Sequence, residues 1–405
     1  MRERLSSFYE HQIADSRSAA IECLQGSDRH EAGRRWRILE RDIKNTGLTN
    51  SWVWIDTWLR HFGDLPHHFA FGVENGQTIG AALVTTPRYV EGWLRTPSIF
   101  LGTNGEPRGE AIGLQSNRLL VSSNHLASFA SGLMRALADS RYWSQIILRR
   151  FVPAHAYALV GAGRELGINF STIERKSLKF DFASLKGQQD VLSSLPLKSR
   201  HIRQLRRKIS LLDTPPGSLV IEWAKTPKEA TDILHELVEL HTVRMTSLGH
   251  RGSFSTERIR KYHEDLIEAL WPYNSIVAVR IRQCERTLSC LLALVENDRI
   301  IGFKSGTSYP PQIAHLSPGV VAHLLSMEEC RQRGYAEYDF GHPCHPYKQE
   351  LSNAENIVIG AYALRGLRGS VAHLAHDVRE GNKWPIVKRT AVFVRNAAGQ
   401  GTLRT

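Results

Sequence analysis

Long apolar runs are absent from this sequence. Stretches such as Ser289–Val295 (SCLLALV) fall far short of the about 20 residues that a bilayer-crossing helix needs. Cysteine is sparse and odd in number. Cys23, Cys284, Cys290, Cys330 and Cys344 show no CxxC spacing, which argues against a disulfide framework and makes reduced thiols the expectation. The opening MRERLSSFYEHQIADSR carries basic residues but no apolar h-region and no cleavage pattern. It does not read as a secretory signal, and the expected location is the cytoplasm.

What is present points to an ordinary globular chain. With 405 residues, 42% of them hydrophobic and 23% charged, two sizeable cores are expected rather than one. A formal charge of +12 favours an anionic partner, whether nucleic acid, phosphorylated cofactor, anionic glycan or membrane surface.

Periodicity places the elements. Trp36, Leu39 and Ile43 fall at helical spacing with Gly47 as a stop, and Trp54, Trp58 and Phe62 follow behind Ser51 as an N-cap. Two β-rich runs flank Asn75-Gly76, a strong hairpin signal. Leu126, Phe129, Ala130, Leu133 and Leu137 share a helix face, and SQIILRRF reads as a strand. Lys198 to Lys208 is intensely basic, with a weak apolar stripe of Leu205, Ile209 and Leu212, and ends at Pro215-Pro216-Gly217. It reads as a basic linker helix at a domain boundary. The second half then repeats the order of the first. It has a strand (SLVIEWAK), a helix opened by Pro227, a further helix, three strands, the helix after LSPG and the strand AEYDF. The offset is roughly 200 residues, which suggests a duplicated module.

The segment LSPGVVAHLLSMEECRQRGYAEYDFG followed by YK, together with ELHTVRMTSLGHRGSF, resembles the acetyltransferase family associated with bacterial cellulose biosynthesis. SWVWIDTWLRHFGD and PSIFLGTNGEP are similar to it too, so the resemblance runs from about Arg35 to about Glu380. It implies an α/β (α+β) fold of tandem GNAT-like acyltransferase domains, with mixed, mostly antiparallel sheets flanked by helices. The expected units are an N-terminal segment, partly frayed (1–30), a first domain (31–190), the linker helix (191–215), a second domain carrying the donor site (216–385) and a tail (386–405). The Fem-type aminoacyltransferases are similar in tandem architecture and draw acyl groups from aminoacyl-tRNA. Departures are visible. The loop before Tyr-Lys is GHPCHP rather than acidic, Met245 replaces an aromatic residue, and neither half has the Gln/Arg-x-x-Gly-x-Gly pyrophosphate loop.

The candidate residues follow. Ser317 suits a cap, Pro318 presets the first helical turn and Gly319 lets a ligand approach, so the amides there would face an anion such as pyrophosphate. By the resemblance, RIIGFKSGTSYPP is a strand that parts from its neighbour, with Ser305 and Gly306 as the positions whose amides meet an acyl donor. Asp339 is a general base or the partner of Lys348 or Arg244. Lys348 binds phosphate or polarises the carbonyl, and Tyr347 reprotonates a leaving group. His241, one turn before Arg244, is a core residue or a site base. His342, Cys344 and His345 are too tightly spaced to converge on zinc, so no metal is expected, and the two histidines are read as a substrate rim. The expected activity is transfer of an acyl (acetyl) group from acyl-CoA to an amine or hydroxyl, for example on a polysaccharide or cell-envelope precursor. The alternatives are an aminoacyl-tRNA-dependent transferase or a non-catalytic module on an anionic polymer. The basic helix has few aromatics for base stacking, so sequence-specific single-strand recognition is not indicated.

Overall fold

The computed structural model describes residues 18–366, apart from 45, 92–93, 108, 141 and 186–188. The first half runs β1 (Ala20–Gln25), α1 (Arg29–Asp42), α2 (Trp52–Phe62), β2 (His67–Glu74), β3 (Gln77–Thr85), β4 (Arg88–Glu91) and β5 (Leu94–Leu101). It continues with β6 (Leu120–Val121), α3 (Leu126–Asp139), β7 (Gln145–Phe151), α4 (Pro153–Glu165) and β8 (Phe170–Asp181). After α5 (Ser199–Leu212) come β9 (Leu219–Trp223), α6 (Pro227–Ser247), α7 (Glu257–Leu270), β10 (Ile276–Gln283) and β11 (Arg286–Glu296). The last elements are β12 (Arg299–Thr307), α8 (Pro318–Gln332), β13 (Glu337–Asp339), α9 (Pro346–Leu351) and β14 (Ala354–Leu364).

Local signals act as their chemistry requires. Ser51 caps α2, its hydroxyl accepting from the Trp54 N–H at 3.3 Å. Asn75 and Gly76 turn β2 into β3 with φ of +50° and +76°, the doubly positive pair of a tight hairpin. Pro227 opens α6 behind the capping hydroxyl of Thr226. The basic segment is indeed helical, with Leu205 and Leu212 buried. Within the N-terminal segment, Ala20–Gln25 is an ordered strand that pairs antiparallel with β2, while residues 1–17, where fraying was expected, lie outside the described residues. One expectation gives way: α1 ends at Asp42, so Ile43 is already extended and Gly47 lies beyond the stop.

One mixed sheet joins everything, in the order β1-β2-β3-β5-β7-β14-β8-β13-β12-β11-β10-β9, with β4 attached to β5 and β6 to β3. Among the described strands, only β5–β7 and β12–β13 are parallel within it. Its centre is an exchange. β8 and β14 pair along their length, from Lys179↔Ala354 to Phe170↔Ala363. β14, from the second half, also pairs with β7 of the first, and β8, from the first, pairs with β13 of the second. The sheet is therefore continuous across the expected domain boundary.

Helices cover both faces. On one, α1 and α2 meet α6 and α7 in a shared core of Trp36, Trp54, Trp58, Phe62, Tyr262, Leu266 and Phe303. On the other, α3 and α4 bury Phe129, Leu133 and Leu159, while α8 and α5 bury Leu324, Met327 and Leu205. Truncating a fully buried tryptophan such as Trp54 would cost about 3–5 kcal/mol, so the first face binds the halves tightly.

Candidate active site

The parallel pair β12–β13 holds together only over Arg299↔Glu337 to Ile301↔Asp339, while β12 continues to Thr307 against β11 alone. The strands part, and the N-terminus of α8 stands at the opening. Ser317 precedes that helix at φ +57°, a left-handed conformation, and its hydroxyl does not cap as expected. Instead Lys208 of α5 donates to Ser317 Oγ at 2.9 Å. Pro318 fills the first helical position and is buried. A Cβ on Gly319 would stand 2.7 Å from the Tyr309 hydroxyl, so the missing side chain is what lets Tyr309 lie against the helix start. Arg244 rests over the Tyr309 ring, 4.7 Å from its centroid. The fold thus gathers Arg244, Ser317, Pro318 and Gly319, and adds Lys208 and Tyr309, which the sequence reading passed over.

One turn into α8, His323 is 8% exposed and links two tyrosines. Its Nδ1 lies 2.9 Å from the Tyr338 hydroxyl and its Nε2 3.4 Å from that of Tyr347. Burial, aided by the nearby Lys348 charge, holds the imidazole neutral, with a pKa of about 3. The buried Tyr338 hydroxyl must place its proton, and Nδ1 is the acceptor in reach. The remaining imidazole proton then sits on Nε2 and points at Tyr347 Oη, which leaves the Tyr347 proton free to face the opening. Burial pushes the Tyr347 phenol up to about 12, so it stays protonated at neutral pH. His345 stacks on Tyr347 with ring centroids 6.0 Å apart.

On β12, Ser305 is exposed and Gly306 buried. A Cβ at Gly306 would meet the Leu237 carbonyl at 2.4 Å, so this glycine exists to let α6 lie on the strand. His241 is a bolt rather than a free base. Its Nδ1 donates to the Ser305 carbonyl at 3.2 Å, and its Nε2 accepts from the Ser253 N–H at 3.1 Å. Burial lowers its pKa, in keeping with that neutral tautomer.

Asp339 and Lys348 both direct their hydrogen bonds to groups of the protein itself. Asp339 accepts from Ser177 Oγ at 2.6 Å, the Gly341 N–H at 2.8 Å and Asn356 Nδ2 at 3.1 Å, tying β13 to β8 and β14. It forms no ion pair with Lys348 or Arg244 among the described residues. Lys348 is 5% exposed and donates to the carbonyls of Phe340 at 2.8 Å and Gly341 at 3.0 Å. Its ammonium, lowered to about 8 by burial, is committed to the end of β13 instead of a phosphate. The histidine-rich loop diverges. Cys344 Sγ meets the Lys176 carbonyl, His345 lies on Tyr347, and the His342 N–H donates to Gln115 Oε1 at 2.8 Å. Among the described residues no group of three or more His, Cys, Asp or Glu is placed to hold a metal ion. Nor is any of their helices long and apolar enough to cross a membrane.

The corresponding parting of β5 and β7 in the first half is closed. Asn117 bridges to Phe151 there, and its side chain donates to the Leu101 carbonyl at 2.9 Å.

Residues 199–349 match the family model described as an acetyltransferase (GNAT) domain. The crystal structure of FemX superposes with a TM-score of 0.55 at 12% identity, covering 84% of this chain and 98% of that one. The C-terminal domain of an Agrobacterium fabrum protein described as a lysylphosphatidylglycerol synthetase gives 0.50 at 12% identity, covering 86% and 97%. A tandem GNAT protein from the clavulanic acid biosynthesis pathway gives 0.44 at 12% identity, covering 85% and 99%. No curated protein matches in sequence. Residues 199–349 are thus similar to GNAT acetyltransferase domains, and the mixed α/β architecture is GNAT-like.

Proposed function

We propose that the protein transfers an acyl group from an acyl-CoA donor, bound where β12 and β13 part, to an amine or hydroxyl acceptor. One observation carries this reading: Lys208 is held at 2.9 Å from Ser317, at the positive end of a 15-residue helix. A cation there is unfavourable by roughly 0.3–1 kcal/mol unless an anion joins it. Lys208, the Gly319 backbone and Arg244 form a setting suited to the pyrophosphate of such a donor. Acyl-CoA, when bound, supplies an activated thioester carbonyl. The edge of β12 turned away from β11 offers backbone groups to a pantetheine arm and to a developing oxyanion. Tyr347 holds a proton at Oη for the leaving thiolate, His323 with Tyr338 fixes its orientation, and the proton that the acceptor sheds as the new bond forms restores the phenol. A glycan or glycan-precursor acceptor is suggested by the resemblance to the cellulose-biosynthesis acetyltransferases.

Thermal unfolding with acetyl-CoA and longer acyl-CoAs tests the donor site. At a hundredfold excess over Kd the gain is about 2.7 kcal/mol, a shift of a few degrees. The shift is expected in wild type and reduced in Lys208→Gln. No shift with any acyl-CoA would remove the CoA reading. A second reading, an aminoacyl-tRNA donor, is favoured by α5, where Arg200, Arg203 and Arg207 are exposed. None of the three forms an ion pair with a carboxylate among the described residues. It requires tRNA affinity that falls steeply with salt and weakens when these arginines are replaced.

A further inference from the structure

Two side chains that the donor reading does not use are redirected onto one short stretch of loop. In β12 the register slips between Leu292 and Ala293 of its partner, leaving Phe303 bulged between Gly302 and Lys304. A bulge makes successive residues share a face. Accordingly Lys304 Nζ, 5.2 Å from the Phe303 ring centroid, also approaches Phe254, at 5.6 Å. It ends over Gly113, where a Cβ would stand 3.2 Å from Nζ. In β7 the register slips opposite Gly360, and Arg150 takes φ +54°. That strained turn sends its guanidinium to the Leu114 carbonyl. His342 closes the third side, its N–H on Gln115.

Three consecutive loop residues, Gly113 to Gln115, thus receive Lys304, Arg150 and the His342 turn from three different elements. The charges do not cancel. Arg150 is pushed down to about 10 by burial and by the neighbouring Arg175 and Arg149. Lys304 falls to about 8 through burial and Arg150, with Glu106 as the opposing carboxylate. Glu106 accepts from Trp58 Nε1 at 2.9 Å and makes no ion pair with either cation among the described residues. His342 Nε2 and the Nε2 of the fully buried His263, whose ring lies 5.4 Å from that of Phe303, have no hydrogen-bond partner among the described residues.

We infer that this recess, bounded by Arg150, Arg175, Lys304 and His342, binds a carboxylate or phosphate group of the acyl acceptor. The inference rests on the acyl-transfer reading for the word acceptor, but the anion site is testable without it. Two bulges that aim half-buried cations at one point, with no carboxylate ion-paired to either among the described residues, make sense when the counter-charge arrives with a ligand. Lys304 lies on the same strand whose free edge is proposed to hold the donor, so the anion would anchor an acceptor beside it.

The probes are inorganic phosphate and malonate, added at constant ionic strength against sodium chloride, with Kd read from thermal shifts. Wild type is expected to be stabilised by at least one of them. Lys304→Gln should raise that Kd by at least about tenfold, and Lys304→Arg, which keeps the charge, should largely preserve it. The exposed Arg175→Gln, which should leave folding intact, is expected to weaken binding in the same direction. Phosphate alone, malonate alone or both as the effective probe supports the site and identifies the anion. No shift with either probe overturns the inference, as does a shift unchanged in Lys304→Gln and Arg175→Gln. A shift abolished by Lys208→Gln instead would place the anion at the donor helix and also overturn it. Acyl-CoA stabilisation, measured in parallel and retained by Lys304→Gln, reports on the donor reading separately.

Discussion

Acidification from pH 7 to pH 5 is expected to remove about 5 kcal/mol of folding stability through four of the imidazoles that the fold keeps neutral. Burial lowers His68, His155 and His342 to about 4 and His323 to about 3, against 6.5 in an open chain. Between those values the unfolded chain holds more protons than the folded one. The stabilisation is therefore complete above pH 6.5 and is lost as pH falls toward 4. At pH 5 each group contributes about 2 kcal/mol of loss by linkage. His68, His155 and His342 keep some solvent contact, which roughly halves their share. The total is a large part of the roughly 5–15 kcal/mol that a folded domain possesses. Glu40 and Glu106, raised by burial, act in the opposite sense and reduce the net slope. Urea unfolding at pH 7, 6 and 5, followed by the fluorescence of the nine tryptophans, measures the slope. His155→Gln should flatten it by about 1 kcal/mol, because the amide oxygen can replace Nδ1 as acceptor for the Leu119 N–H. Free energies equal within about 1 kcal/mol at pH 7 and pH 5 would refute the argument.

Gly306→Ala should cost about 1–3 kcal/mol, because its Cβ would press on the α6 backbone. Gly161→Ala, with open space around it in α4, should gain about 0.5–1 kcal/mol, and the two melts together check the packing argument. Lys348→Met should lose about 1–3 kcal/mol by stranding two buried carbonyls while keeping the acyl-CoA shift. Full stability with a lost shift would return Lys348 to the ligand. Tyr347→Phe should lower turnover by roughly a hundredfold with little change in donor KM, and an unaltered kcat would remove Tyr347 as the acid.

Elements with a strong period or a capping residue were legible in the sequence: α2 from its tryptophans and Ser51, the β2–β3 hairpin from Asn75-Gly76, and α6 from Pro227. The long strands β8 and β14 escaped notice. In β8, FSTIERKSLKFD lacks clean alternation because its middle is exposed while its end is buried between β13 and β14. Its role is settled by a partner far along the chain, which no local window contains. The site divides similarly. Pro318, Gly319 and Tyr347 could be picked out by motif, but sequence does not reveal that Ser317 turns left-handed or that Lys348 is spent on carbonyls. Lys304 and Arg150 carried a readable signal, a cation inside or ending an apolar strand. Its meaning depends on bulges that only pairing defines.

The exchange of β8 and β14 has consequences for how the molecule is made. On a ribosome, β8 emerges long before β14 exists, and β7 waits for the same strand. The nascent first half therefore carries three unsatisfied strand edges, one on β7 and both on β8, the kind of surface that chaperones cover and that pairs with neighbours when crowded. Fragments cut between β8 and α5 would each miss a strand held by the other. Co-expressed, they should find one another and rebuild the sheet, whereas either alone should aggregate. A gene duplication that began as two independent folds would here have become a single unit of inheritance, since neither copy can be deleted without disabling the other.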